Sequence, residues 1–316
     1  MELGSKPRIG CSLARIKPLS SIKSGINRSL ISLVAKYNSR NGVFAVEIRS
    51  SVGLGAKLEW CLEILAYCHE NGLIPQFKFS YPNSEKSEDY FGRFFGIKGI
   101  INKDKPVRFI KIASITELSL GKDYDNVLNI ELATYLIKKY LVVKEDIISE
   151  VESFCCRHFA KGRVLGVHYR GTDKVEESPV VPYDSVKRNI EHYLKLSPET
   201  DCVFIASDDT NFIEIMEKAP VGRPIIYRND SVRSRDGNSI HKSAHTDRYQ
   251  INRDAIVNCL ILSRCDALLK TASILSGWSK LFNPQLPVVM LSEPYDEYRW
   301  FPERDLIEQN LFEPIK

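Results

Sequence analysis

Five short apolar runs recur through the second half of the chain, and their spacing restricts the fold more than any other feature. They read "VLGVHY", "CVFIAS", "PIIY", "DALLKT" and "LPVVML". Helical patterns fill the stretches between the first and second runs, after the second, and before the fourth. Runs this short and this apolar suit strands buried on both faces, and strands alternating with helices imply a parallel sheet. The first half repeats the theme. "GVFAVEIR" is a strand pattern, a glycine turn and a long amphipathic stretch follow it, Gly72 ends that stretch, and "IPQFKFS" is the next strand. "VRFIKIAS", from Val107 to Ser114, adds another strand, and Leu132 to His158 carries one or two helices. At 316 residues the chain has room for two domains. The expectation is an α/β protein of two doubly wound, Rossmann-type domains. The division places an amino-terminal domain at 1–155 and a second at 156–292, with 293–316 packing back on the first.

In such folds ligands bind beyond the carboxyl ends of the strands. That is where this chain concentrates its polar groups. "VLGVHYRGTDKVEES" leaves its strand through His168 and Arg170, which share a face, with Tyr169 opposite. Gly171 lets the chain turn, and Thr172, Asp173, Lys174, Glu176 and Glu177 follow. Arg offers a planar fork for phosphate oxygens and Lys a compact charge, so a diphosphate is the simplest anion that uses both. The second cluster is Ser207, Asp208 and Asp209, fitted to ligand hydroxyls or to capping the next helix. The third is Thr271, Ala272 and Ser273 ahead of a helix, which suits phosphate or, again, a cap. In the first half Gly53 and Gly55 allow a ligand close to the backbone. The third glycine of the dinucleotide fingerprint is missing, which argues against a dehydrogenase.

Charge and cysteine usage narrow the classes further. The net charge of +4 fits an anionic small ligand or a weak attraction to acidic membranes, and does not by itself argue for nucleic acid. The eight cysteines form no CxxC, so neither a zinc site nor a disulfide framework is expected, and no metal is assigned. No apolar run is long enough to span a membrane. The first 40 residues hold eight Lys/Arg against one acid, Glu2, with Ile22, Ile26, Leu30, Leu33, Val34 and Tyr37 at helical spacing. A surface helix on the first domain is the expectation. An interfacial helix on acidic lipid, or a transit-like leader, fits the same residues. A cytoplasmic location is the expectation, with peripheral membrane contact through this basic segment as the alternative.

Taken together, "VLGVHYRGTDKV", "VFIASDD" and "HTDRYQINRDAIVNCLILSRCDALLKTASILS" resemble three successive motifs of the α1,6-fucosyltransferase family, and "GLGAKLEWCLEIL" resembles its first glycine turn and helix. The resemblance covers roughly Val164 to Ser279. It implies a GT-B fold, with the two domains facing across a cleft. The activity it implies is inverting, metal-independent transfer of fucose from GDP-fucose to a glycan, a polysaccharide or a lipid-linked acceptor. It makes Arg170 the pyrophosphate clamp, His168 a nucleotide contact, Lys174 a phosphate ligand, and Asp208 and Asp209 donor-fixing groups. Thr271 and Ser273 fall near the phosphates. The general base is expected at Glu177, or else Glu176. Two departures stand out. The family often has a second Arg where this chain has Gly171. Its guanine-reading aspartate falls near Asn258, with Asp254 one turn earlier. No cofactor is implied beyond the donor itself. Three other readings remain: another nucleotide sugar; a non-catalytic protein of this fold binding nucleotide sugar or glycan; and a metal-dependent GT-A enzyme using Asp123-Tyr124-Asp125.

Overall fold

The computed structural model describes residues 33–36, 40–82, 89–99, 107–159, 162–171, 177–219, 221–235 and 247–315. The first sheet is parallel and three-stranded, ordered β2-β1-β4, from β1 (Val43–Arg49), β2 (Ile74–Ser80) and β4 (Ile110–Ile112). β1 lies at its centre because every residue from Val43 to Ile48 is buried, as a strand covered on both faces must be. The helix Leu54–Glu70 carries the chain from β1 to β2, and Gly72 turns it at φ +64°. The run from Val107 to Ser114 yields only three strand residues. The long stretch after Leu132 divides into helices Ile130–Tyr140 and Glu145–His158. Between them β5 (Leu141–Val143) pairs antiparallel with β3 (Phe95–Ile97), a small ribbon absent from the sequence reading.

The second sheet is wholly parallel, ordered β10-β9-β6-β7-β8. Its strands are β6 (Arg163–Tyr169), β7 (Thr200–Ser207), β8 (Ile225–Ile226), β9 (Ala267–Lys270) and β10 (Val288–Met290). The first strand in sequence, β6, therefore sits in the middle, and the winding reverses between β6 and β9. A crevice opens at such a reversal, because the loops leaving the two strands go to opposite faces of the sheet. β6 and β9 pair through His168 and Lys270, so the charged loop after Tyr169 begins at this crevice.

The carboxyl-terminal segment touches both halves. Phe301 is fully buried, and its amide donates to Asp125 Oδ1 at 3.4 Å. Arg304 bonds the Asp125 carboxylate at 2.7 Å and the Leu128 carbonyl at 3.0 Å. Further on, Asn310 Oδ1 accepts from the Met290 amide, and the Ile315 carbonyl accepts from Ser185 and Asn189 of the second half. Most of the basic amino-terminal stretch lies outside the described residues. Of it, 33–36 is helical, with Val34 and Ala35 against the first core and Leu33 exposed. No described helix is long and apolar enough to cross a membrane.

Candidate active site

A cleft of about 360 Å³ lies between the two halves, at the winding reversal. Two helices point their amino-terminal ends into it. The helix Leu54–Glu70 starts after Gly53, and the helix Ile274–Phe282 starts after Ser273; neither receives a side-chain cap. Each leaves amide N–H groups without intrahelical partners, and each concentrates positive potential there. The two ends meet closely: a Cβ on Gly55 would stand 3.3 Å from Ile274 Cβ and from the Leu275 amide nitrogen. Glycine at 55 thus brings one helix end up to the other. Gly53 has an ordinary extended φ of −63° and open space around it.

The charged strand end supplies the other groups. His168 and Arg170 both line the cleft, while Tyr169 on the opposite face is buried and donates to the Val181 carbonyl. The Arg170 guanidinium is largely buried and stands 4.0 Å from Asp208, which also lines the cleft. Burial, with Lys270 and Arg170 nearby, pushes the His168 imidazole well below its ordinary pKa. It is therefore neutral near pH 7. Its Nδ1 is buried with no hydrogen-bond partner among the described residues. A neutral ring with a bare nitrogen is fitted to exchange a hydrogen bond with a ligand, not to supply charge.

The pairs of residues at the other strand ends separate into two kinds. Asp209 is not in the cleft lining. It caps the helix Thr210–Lys218, accepting from the Asn211 and Phe212 amides, and its Oδ2 accepts from Tyr183 at 2.6 Å. Thr271 likewise turns inward, its Oγ1 accepting from the Arg170 amide at 2.9 Å. That bond seams β6 to β9 and fixes the backbone from which Arg170 projects. Ser273 is the opposite case, lining the cleft without capping. Helix Arg248–Leu262 forms another wall, presenting Ile251, Ala255, Asn258 and Leu262. Asn258 Oδ1 is buried there without a partner among the described residues. Asp254 is committed, Oδ1 to Gln250 and the buried Arg228, Oδ2 to the Val232 amide. Burial raises its pKa. Of the two, Asn258 keeps an acceptor for a ligand.

Glu177 also lines the cleft, and its carbonyl accepts from the Tyr295 amide at 2.9 Å. Lys174 and Glu176 lie outside the described residues. Gly171, where the family pattern often has arginine, follows at once: a Cβ there would fall 2.5 Å from the Tyr169 ring. That ring is stacked on Phe212 at 4.2 Å and cannot swing away cheaply. Gly171→Ala is expected to cost about 1–3 kcal/mol as an overpacking change, read as a lower denaturation midpoint at unchanged slope. Asp123 and Asp125 do not line the cleft. Asp123 accepts from Asn126 and Asp125 holds Arg304. Both carboxylates are engaged away from the site, Asp123 locally and Asp125 with the carboxyl-terminal segment, a strap through Trp300, Glu303 and Arg304, which removes the basis for the GT-A reading. No group of three or more His, Cys, Asp or Glu among the described residues is arranged to hold a metal ion.

Several members of the site were not legible beforehand. Trp300 lines the cleft from beyond the last strand, β10, and its only sequence signal is the aromatic run "EYRWF". Val232 and the Arg228 network follow a two-residue strand and carry no periodic pattern.

No family model and no curated protein sequence matches the chain. Among solved structures, an α1,6-fucosyltransferase, NodZ, co-crystallised with GDP aligns with a TM-score of 0.50 and 13% identity, over 78% of this chain and 93% of that one. The fold is shared with a fucosyltransferase. The alignment takes in both α/β halves at a sequence distance where only architecture is compared. Fucosyltransferase NodZ from Bradyrhizobium aligns at TM-score 0.49 and 14% identity, over 80% of this chain and 96% of that one. A mutant of Arabidopsis thaliana FUT1 in complex with GDP aligns at TM-score 0.37 and 12% identity, over 83% and 52%.

Proposed function

We propose that the chain is an inverting, metal-independent glycosyltransferase that moves fucose from GDP-fucose to a glycan acceptor. The observation that carries this reading is the convergence of two uncapped helix amino termini, one from each half, on a cleft that also holds Arg170. A diphosphate leaving group gains negative charge as the glycosidic bond breaks, and preorganised N–H groups and a guanidinium stabilise that charge without reorganising. Lys174 is assigned a second cationic contact. The apolar wall of Ile251, Ala255 and Leu262 suits a nucleobase, with Asn258 Oδ1 accepting one of its N–H groups. Guanine, whose edge carries such donors, fits that role, and neutral His168 bonds the sugar or phosphate. Glu177 is assigned the proton of the acceptor hydroxyl. The donor assignment draws support from the shared fold, of which NodZ co-crystallised with GDP is a solved example. A cytoplasmic, membrane-peripheral location belongs to the same proposal.

The test is thermal. GDP at about 100 times its Kd stabilises a folded-state-only binder by about 2.7 kcal/mol, so the melting temperature should rise by several degrees with EDTA present. Stabilisation that appears only on adding Mg²⁺ or Mn²⁺ would refute the metal-free mechanism. Stabilisation by UDP but not GDP would reassign the donor.

A further inference from the structure

Trp300 lines the main cleft and also a second, small hollow beside it. Glu177, Ser273 and Ile274 are common to both. These four therefore mark the end of the cleft at which the hollow adjoins it. We propose that Trp300 is the stacking platform for the acceptor's terminal sugar ring, and that the Tyr295–Trp300 strip carries the acceptor into the site. The proposal rests on the glycosyl-transfer reading above.

Three observations support it. The first is chemical fit. A pyranose presents a face of C–H groups and an edge of hydroxyls, and an indole face with a carboxylate beside it matches both. Trp300 and Glu177 provide that pair at one place, and Glu177 is the group assigned to the acceptor hydroxyl. The second is presentation. Tyr298 packs edge-on to Trp300 at 5.4 Å and 85°, and Tyr295 is 42% exposed, so aromatic side chains continue from the cleft to the surface. A single nucleotide sugar has no use for rings beyond its own length, whereas an oligosaccharide does. The third is bracing. The Tyr295 amide donates to the Glu177 carbonyl at 2.9 Å, and Arg299 bonds Glu293 at 3.0 Å and Asp296 at 3.2 Å. Fully buried Phe301 anchors the other end. A ring held in place before the ligand arrives loses little freedom on binding.

The test uses the full chain, saturated with GDP, on a printed array of oligosaccharides ending in N-acetylglucosamine, galactose, mannose, glucose or fucose. The wild type is expected to retain a subset. Trp300→Ala should weaken that retention at least about tenfold, while its GDP affinity stays within about twofold. Trp300→Phe, which keeps a smaller ring face, should recover most of it and guards against a folding defect in the alanine variant. Trp60, on the helix Leu54–Glu70 and outside the cleft lining, serves as control, and Trp60→Phe should bind as the wild type does. Equal retention by wild type and Trp300→Ala overturns the proposal. So does a loss of GDP-fucose affinity without loss of glycan retention, which would give Trp300 to the donor. Absence of any retained glycan, with the GDP stabilisation intact, overturns it as well. Absence of the GDP stabilisation is the separate result that removes the glycosyl-transfer reading.

Discussion

Replacing Arg170 with alanine is expected to lower kcat by two to three orders of magnitude, about 3 kcal/mol of lost transition-state stabilisation, while the protein remains folded. The split between activity and stability follows from how the residue is held. One contact with the fold is made by its backbone: the Arg170 amide donates to Thr271 Oγ1 at 2.9 Å, joining β6 to β9. Every substitution except proline keeps that bond. The side chain instead reaches into the cleft beside His168, with its Nε 4.0 Å from Asp208. At 4.0 Å that contact is at the outer limit of an ion pair and too long for a hydrogen bond, so it adds little to stability. In the proposed reaction the guanidinium supplies a planar pair of donors for two oxygens of one diphosphate. Arg170→Lys keeps the charge and loses the fork, so it should restore less than about a tenth of the missing rate. Because leaving-group charge grows towards the transition state, the loss should fall on kcat as well as on donor affinity. Donor kinetics and melting curves on the two variants decide the matter. Wild-type transfer by Arg170→Lys, or a collapse of the melting temperature in Arg170→Ala with normal kinetics in the folded fraction, would make this a structural arginine.

The strand ends could be read from sequence because burial on both faces forces continuous apolar runs, and the polarity change at each carboxyl end is abrupt. β6 and β7 extend almost as their runs do. β4 and β8 fall inside the runs "VRFIKIAS" and "PIIY" but keep only three and two strand residues, and β3 and β5, three residues each, are too short for any period to register. Within the strand-end clusters, composition marks the place but not the role. Asp208 and Asp209 are neighbours of one type, yet one lines the cleft and the other caps a helix. Which is which depends on the turn angle leaving β7, a property of the backbone. Thr271 and Ser273 divide in the same way, the first seaming two strands and the second lining the cleft. Asn258 and Asp254 differ because Arg228, Gln250 and the Val232 amide consume the acid's acceptors and leave the amide's oxygen bare. Arg228 and Asp254 lie 26 residues apart, and nothing local pairs them. The strap through Trp300 and Glu303 lies outside both strand patterns, so its place at the cleft is settled only by tertiary contacts.

The largest stability effect is expected at Lys270 and Glu303. Lys270 ends β9 beside His168, has no exposed surface, and contacts both oxygens of the equally buried Glu303 at 2.7 and 2.8 Å. Burial pulls the Lys270 ammonium below its ordinary pKa and Glu303 opposes that shift. A charge so placed is tolerable only while its partner is present, because water is not there to replace it. Lys270→Ala and Glu303→Ala are each expected to cost about 3–5 kcal/mol. For a domain of this size that is a fall of roughly ten degrees or more in melting temperature. Either substitution frees the strap through Trp300, and Glu303→Ala in addition leaves a buried ammonium beside His168 without its counter-charge. Lys270→Met combined with Glu303→Leu removes both charges while filling similar volume, so it should lie within about 2 kcal/mol of the wild type. That double variant distinguishes a buried pair that stabilises from one that merely must not be broken. Single variants that melt at the wild-type temperature would mean that water reaches the pair, and the strap would then not be held by it.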